Sequence, residues 1–283
     1  MKTPVPTQPI EHYENFPVAS WLCPPRLRAP IAAIYHFART ADDMADEGDA
    51  TAQQRLDELA AYRHDLLATA QGQLHSGRWP QVFDPLAAML EQFCLPVPLL
   101  DDLLDAFAQD VRKTRDRASY ADRAELLDYC RRSANPVGRL LLLLYGVQDD
   151  ASLRRSDAIC SALQLINFWQ DLSRDIPRGR HYLTDADCAA HGVQRAELAA
   201  LTPTPQALRL VADQVRWARE LMLQGAGLVH RVPGRAGWEL RLVVQGGLRI
   251  LDKIEALGGN TLQRRPTVGA ADAPLLLWRS LWM

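Results

Sequence analysis

The sequence predicts an all-α chain, a helical bundle closed around one core. Three observations carry this: apolar residues recur at helical spacing in one segment after another, no stretch alternates with the period of a strand, and no Gly-rich nucleotide loop or internal repeat breaks the pattern. With 283 residues, 48% of them hydrophobic and 23% charged, the chain is long enough for one large domain or two small ones, and a single domain over 1–283 is the expectation. The formal net charge of −2 comes from 32 Lys and Arg against 34 Asp and Glu, so no dense basic face exists and nucleic acid is not an expected partner. Cys23, Cys94, Cys130, Cys160 and Cys188 are odd in number and lack C-x-x-C spacing, which argues against a zinc ribbon or redox motif and for a reducing compartment, the cytoplasm.

Taken in order, residues 1–10 are rich in Pro and Thr without the apolar stretch of a secretory signal, and read as a loose arm. Residues 11–22 follow as a loop that includes His12, Tyr13, Asn15 and Phe16. Residues 35–47 form a helix with Asp42 and Asp46 at i, i+4 and with Tyr35 and Arg39 on the same stripe. Ile34, Phe37, Ala38, Ala41 and Ala45 make its apolar face, and Asp43 points away toward solvent. Residues 52–69 give a structural helix through Leu56, Leu59, Ala60, Arg63, Leu66 and Leu67. Gly72 and the stretch from Gly77 to Pro80 break it, 82–93 resumes, and Pro96 and Pro98 punctuate before a helix over 99–110. Asp101, Asp102 and Asp105 read as helix-start charges rather than site residues.

Residues 113–123 make a charged connector, with Asp122 near the N-cap of a helix that begins about Glu125 and carries Tyr129. Pro136 and Gly138 predict a kink or break before the apolar run 140–145, which is too short to span a bilayer. In residues 164–175 a helix would place Gln164, Asn167, Asp171 and Asp175 on one stripe and Ala162, Leu165, Trp169, Leu172 and Ile176 opposite: one face amide and carboxylate, the other core. Arg178 and Arg180 follow in a turn, either a solvated basic loop or a phosphate contact. Residues 202–225 and 234–257 are two more helices. The second contains Gly246 and Gly247, which leave room for a ligand or a close helix contact. The tail 273–283, rich in Leu and Trp around Arg279, either docks on the core or lies at a bilayer surface.

A single D-x-x-x-D pair is usually a solvated helix face, but two of them, each beside an apolar face, are two sets of like charges that need a cation. Mg²⁺ suits them, because it takes one or two carboxylates and completes its shell with water and substrate phosphates. The chain resembles the squalene/phytoene synthase family along most of its length: Arg39-x-x-Asp42-Asp43-x-x-Asp46, Tyr129-Cys130 followed by Val137-Gly138, and Gln164-x-x-Asn167-x-x-x-Asp171-x-x-x-Asp175 occur in the family's order and approximate spacing. Where relatives carry serines in a His-Ser-x-Ser-Phe segment, Tyr13 and Asn15 stand here. The pattern from His12 to Trp21 looks like the branch that forms hydroxysqualene in bacterial squalene and hopanoid pathways.

The resemblance implies an isoprenoid-synthase bundle with a central cavity. It places Asp42, Asp46, Asn167, Asp171 and Asp175 on Mg²⁺, with Mn²⁺ as the alternative ion. It gives Arg39, Gln164, Arg180, Asn15, Phe16 and Tyr182 to the diphosphate and prenyl substrate, and catalytic roles to Tyr129, Arg39 and Asn167. Taken without the resemblance, Tyr129 could equally be a packed aromatic. The implied reaction is ionisation of presqualene diphosphate to a carbocation that water captures, with Phe16, Phe37 and Tyr129 as candidate π-faces and no nicotinamide or flavin required. Alternatives are a presqualene diphosphate, phytoene or dehydrosqualene synthase, and, in another class, a non-catalytic helical assembly factor. A di-iron bundle is argued against by the missing Glu-x-x-His pairs. Peripheral contact with the inner face of the membrane, and contact with pathway enzymes, complete the expectation.

Overall fold

The structure, a computed structural model, describes residues 23–283, so His12, Tyr13, Asn15 and Phe16 lie outside the described residues. The described chain is helical throughout: α1 (Pro25–Asp46), α2 (Ala52–Ala70), α3 (Pro80–Phe93), α4 (Val97–Asp116), α5 (Arg123–Ser133), α6 (Asn135–Leu144), α7 (Asp150–Gln170), α8 (Leu172–Asp175), α9 (Asp185–His191), α10 (Arg195–Ala199), α11 (Pro205–Gly225), α12 (Gly234–Ala256) and α13 (Ala273–Leu281). Local chemistry sets many of the starts. Thr51 and Gln54 form a capping box for α2, and the side chains of Asp122, Asp149 and Thr204 accept N–H bonds at the heads of α5, α7 and α11. The expected connector is shorter than its charge suggests. Lys113 and Arg115 lie in the last turn of α4, where cations favour the helix C-terminus, and the helix ends only at Arg117 in the left-handed region.

The apolar interior is divided, contrary to the expectation of one core. One cluster gathers Phe37, Tyr62, Phe83 and Leu100 from the first four helices, and the other gathers Leu165, Trp169, Met222, Val244 and Leu251 from the second half. Helix α6 faces both, with Leu140 and Leu144 in the first cluster and Leu142 in the second, because its leucine run is apolar all round. The expected break before that run falls at Ala134, between α5 and α6, just ahead of Pro136. Glycines set the close approaches. A Cβ on Gly138 would lie 2.4 Å from Ser156 Oγ and 2.6 Å from Cys160 Sγ, which brings α6 onto α7. Gly247 faces Met222, Leu163 and Ile166, so of the two readings for that position the helix contact holds, while Gly246 faces open space.

The tail docks on α12. Arg241 donates to the carbonyls of Ser280 and Met283 at 3.2 and 2.7 Å, and Arg279 pairs with Asp252 at 2.7 Å. Its Leu277, Trp278, Leu281 and Trp282 point outward and are exposed. No helix among the described residues is long and apolar enough to cross a membrane. All five cysteines are free.

Candidate active site

Helix α1 presents the first carboxylate pair. Its buried Phe37 and Ala41 anchor it in the first cluster, so the line of Arg39, Asp42 and Asp46 turns outward toward the cleft. Arg39 reaches Asp42 at 3.3 Å, Asp43 at 2.7 Å and Glu47 at 2.8 Å. Asp43 therefore does not point away into solvent as its helical angle suggests: the same guanidinium gathers it in, and its desolvation raises its carboxyl despite that cation. Phe37 stacks on Tyr62 with ring centroids 5.1 Å apart and is fully buried, so it cannot offer its face to a substrate; Tyr35 and Ala38 line the cavity instead.

The second pair is built differently. The expected continuous helix through Asp175 breaks at Asp171 (φ −104°, ψ 13°), and a separate turn, α8, carries Asp175. Ser173 N–H turns away from the helix to Thr261 O at 3.2 Å, and the Gln170 amide donates to Pro266 O at 2.7 Å. These two bonds fasten the segment after α12 around the break and bring Arg265 onto Asp171, to which it donates through Nε and, at 3.2 Å, through Nη2. Burial pushes the Asp175 carboxyl up to about 7, with the neighbouring charge of Asp171 adding to the rise and Arg178, Arg174 and Arg265 pulling it back. Asn167 and Gln164 sit half-buried on the preceding turns of α7, while Ala162, Leu165, Trp169, Leu172 and Ile176 are buried as the helical pattern implies.

Gly179 (φ 81°) joins the two arms. It occupies the left-handed position of a helix-ending motif in which Arg180 N–H bonds to Asp175 O at 3.0 Å, and this turn sends the Arg180 side chain across to Asp46, with which it pairs. Arg180 thus ties the turn that follows Asp175 to Asp46 of α1, 134 residues away: its backbone N–H holds Asp175 O and its guanidinium holds the Asp46 carboxylate. Tyr182 follows in the same turn and is buried with its ring on Phe168, centroids 3.6 Å apart and nearly parallel. Its phenol is raised by desolvation and by Asp110, and lowered by Arg180, so it stands among the charged groups of the site.

Tyr129 is buried beside that stack, and its hydroxyl donates to Asp110 Oδ2. Two of the groups here, Asp110 and Arg265, escape sequence reasoning. Asp110 carries no spacing signal. Arg265 had only a weak one, an Arg-Arg-Pro run after the Gly258-Gly259 turn. Conversely, Asp101 and Asp105 are held by Arg63, and Asp102 lies 3.9 Å from Arg131, so that acidic cluster is an ion-pair network and not the expected helix-start charge, because α4 begins at Val97 and has no acidic residue in its first turn.

On the N-terminal side of both Asp-bearing helices lies an apolar cavity of about 240 Å³, walled by Ile34 and Ala38 of α1, Leu141 of α6, Ile159 of α7 and Leu240 and Val243 of α12. Ala38 in its wall is one helical turn before Asp42, so the cavity lies next to the first carboxylate pair along α1. A charged head and a long apolar tail fit such a site together.

The family model for squalene/phytoene synthase matches residues 11–272. The chain belongs to the squalene/phytoene synthase family. Among curated members, the hydroxysqualene synthase of Sinorhizobium fredii is 34% identical over 245 residues, which cover 86% of this chain and 79% of the relative. That of Rhodopseudomonas palustris is 33% identical over 244 residues, covering 86% and 80%. Among solved structures, the squalene synthase HpnC from Alicyclobacillus acidocaldarius superposes with a TM-score of 0.78 at 36% identity, covering 87% of this chain and 90% of that one. Family membership agrees with the all-helical architecture derived from the residues.

Proposed function

We propose that the chain converts presqualene diphosphate and water to hydroxysqualene and diphosphate, in bacterial squalene and hopanoid synthesis. The observation that supports this most is the link from Arg180, in the turn after the second carboxylate pair, to Asp46 of the first, with an apolar cavity whose lining includes Ala38, one turn before Asp42; the hydroxysqualene synthases among the relatives point to the same branch.

The donor set suits Mg²⁺. It consists of hard oxygens, Asp42, Asp46, Asp171 and Asp175 with Asn167 beside them, and the burial cost at Asp175 is of the kind a cation relieves. An ion of this kind takes one or two carboxylates and fills its shell from water and a diphosphate. Bound there, Mg²⁺ or Mn²⁺ supplies electrostatic stabilisation of the leaving diphosphate. Arg39, Arg180 and Arg265 each hold a carboxylate now and can turn a guanidinium fork to diphosphate oxygens, with Gln164 as a neutral donor beside them. The cavity walls exclude water from the prenyl chains, each buried methylene contributing about 0.8 kcal/mol. Tyr129 and Tyr182, packed with Phe168, contribute phenol hydroxyls beside the charged groups, Tyr129 to Asp110 and Tyr182 near Arg180 and Asp175. Asn15 and Phe16 complete the substrate end in this reading. The chain acts as one unit in the cytoplasm, and the exposed Leu277, Trp278, Leu281 and Trp282 support peripheral contact with a bilayer that receives the apolar product from this enzyme and passes it to pathway partners.

Purified protein with presqualene diphosphate and Mg²⁺ in H₂¹⁸O should yield an alcohol labelled at its hydroxyl, without nicotinamide. An unlabelled hydrocarbon, or condensation of farnesyl or geranylgeranyl diphosphate as the main reaction, assigns the chain to a sister activity.

A further inference from the structure

Tyr62 and Tyr129 are both buried phenols, one in each half of the molecule, yet they satisfy their hydroxyls differently. Tyr62 donates to the backbone carbonyl of Phe37 at 3.1 Å, a neutral acceptor already in place. Tyr129 donates to a carboxylate, Asp110 Oδ2, on α4. That carboxylate is strongly desolvated, although part of the residue reaches the surface, and Asp42 and Asp175 lie near enough to disfavour its charge further. Placing a third carboxylate between two Asp pairs costs stability that a carbonyl acceptor would not. A purely structural hydrogen bond gives no return for that cost. The ring itself has little freedom: Tyr120, Phe168 and Tyr182 surround it with centroids 5.6, 6.1 and 6.4 Å away.

We propose that Asp110 is the positioning residue of the water-quench step, holding the Tyr129 hydroxyl with its proton toward Asp110 and its oxygen lone pair toward the reacting carbons. The inference rests on the hydroxysqualene-forming reading above. In the step, the water oxygen forms a C–O bond to the carbocation and one of its protons passes to Tyr129 Oη, while the Tyr129 proton passes to Asp110 Oδ2. The alcohol leaves neutral, the phenol ends as it began, and the carboxylate becomes a carboxylic acid that returns its proton to solvent through the cleft. No reductant or further co-reactant is needed. Two properties agree with this: desolvation and Asp110 hold the Tyr129 phenol in its protonated, donating form, and Asp110 is raised to about 7, close to the basicity a proton acceptor needs near neutral pH.

The test separates ionisation from quenching. Full-length protein with Mg²⁺, presqualene diphosphate and H₂¹⁸O is followed for diphosphate release and for product distribution, in the parent, Asp110→Asn, Asp110→Glu and Tyr129→Phe. The expected result is diphosphate release within about fivefold of the parent, with the labelled hydroxysqualene share reduced about tenfold or more in Asp110→Asn, in favour of elimination or rearrangement products. Tyr129→Phe should give the same distribution, and Asp110→Glu should restore part of the alcohol. An unchanged product distribution in Asp110→Asn overturns the proposal, as does a Tyr129→Phe distribution like the parent's. If circular dichroism shows Asp110→Asn unfolded, Tyr129→Phe decides alone. A parent enzyme that releases no diphosphate from presqualene diphosphate instead rejects the functional reading beneath it.

Discussion

The two carboxylate arms have the same D-x-x-x-D spacing and are held by different means. On α1 the pair rides an unbroken helix, is substantially exposed (Asp42 45%, Asp46 34%), and divides its cations between Arg39, three residues before Asp42, and Arg180, which crosses to Asp46 from the turn after the other arm. On the other arm Asp171 sits at a helix break, is 14% exposed, and is gripped by Arg265 from 94 residues further along, while Asp175 carries a desolvated carboxyl. The first arm is the more exposed to water, and only its Asp42 is held from within its own helix. The second stores the electrostatic cost of the site, because like charges in a poorly solvated place repel more strongly than on a surface.

Removing charge should expose that asymmetry most. Asp171→Asn and Asp175→Asn are expected to lower turnover of the Mg²⁺-loaded enzyme by about 10³-fold, and Asp42→Asn and Asp46→Asn by about 10²-fold, the range for losing one group that stabilises developing charge. Helical circular dichroism should be retained in all four. Equal losses on both arms break the comparison, and turnover within a few-fold in any of them removes that residue from the site. Chelation should stop turnover while leaving the fold, because arginines already compensate the carboxylates; extensive loss of helicity on chelation counts against that account.

The arginines give the next effect. Arg265 meets a recessed carboxylate with two donors and Arg180 meets a more exposed one with a single donor. A hydrogen bond to a charged group contributes about 1.5–3 kcal/mol and is screened when exposed, so Arg265→Ala should cost about 100-fold in kcat/KM and Arg180→Ala about 10-fold. Steady-state kinetics that reverse this order would place the diphosphate nearer α1.

The smallest effect is on stability and has a definite sign with pH. The Asp175 carboxyl titrates at 3.8 in the unfolded chain and at about 7 in the folded one. Between those values the folded state binds more protons, so its stability falls as pH rises through the window, and above about 7 the penalty is complete. Without metal, Asp175→Asn lacks the penalty, and its Tm should exceed the parent's by about 2–4 °C at pH 8, with the gain vanishing near pH 4. A Tm difference independent of pH, measured by calorimetry in chelator, contradicts the desolvated carboxyl.

Sequence by itself determined the all-helical class, the helix start marked by Asp122, the break ahead of Pro136, and the two Asp pairs, because each rests on spacing or capping within a dozen residues. It also identified the buried side of the segment from Leu165 to Ile176, across α7 and the turn after it, since a helical period reports which side meets the core. Only the tertiary structure decided the break at Asp171, which depends on carbonyls of Thr261 and Pro266 roughly ninety residues away. The same holds for the grip of Arg265, the crossing of Arg180 to Asp46, the carboxylate beneath Tyr129 and the burial of Phe37 away from the cavity. None of these has a period. Each is a partnership between groups far apart in the chain, fixed when helices pack and leave a charge or hydroxyl with a particular neighbour, and local spacing carries no record of that neighbour.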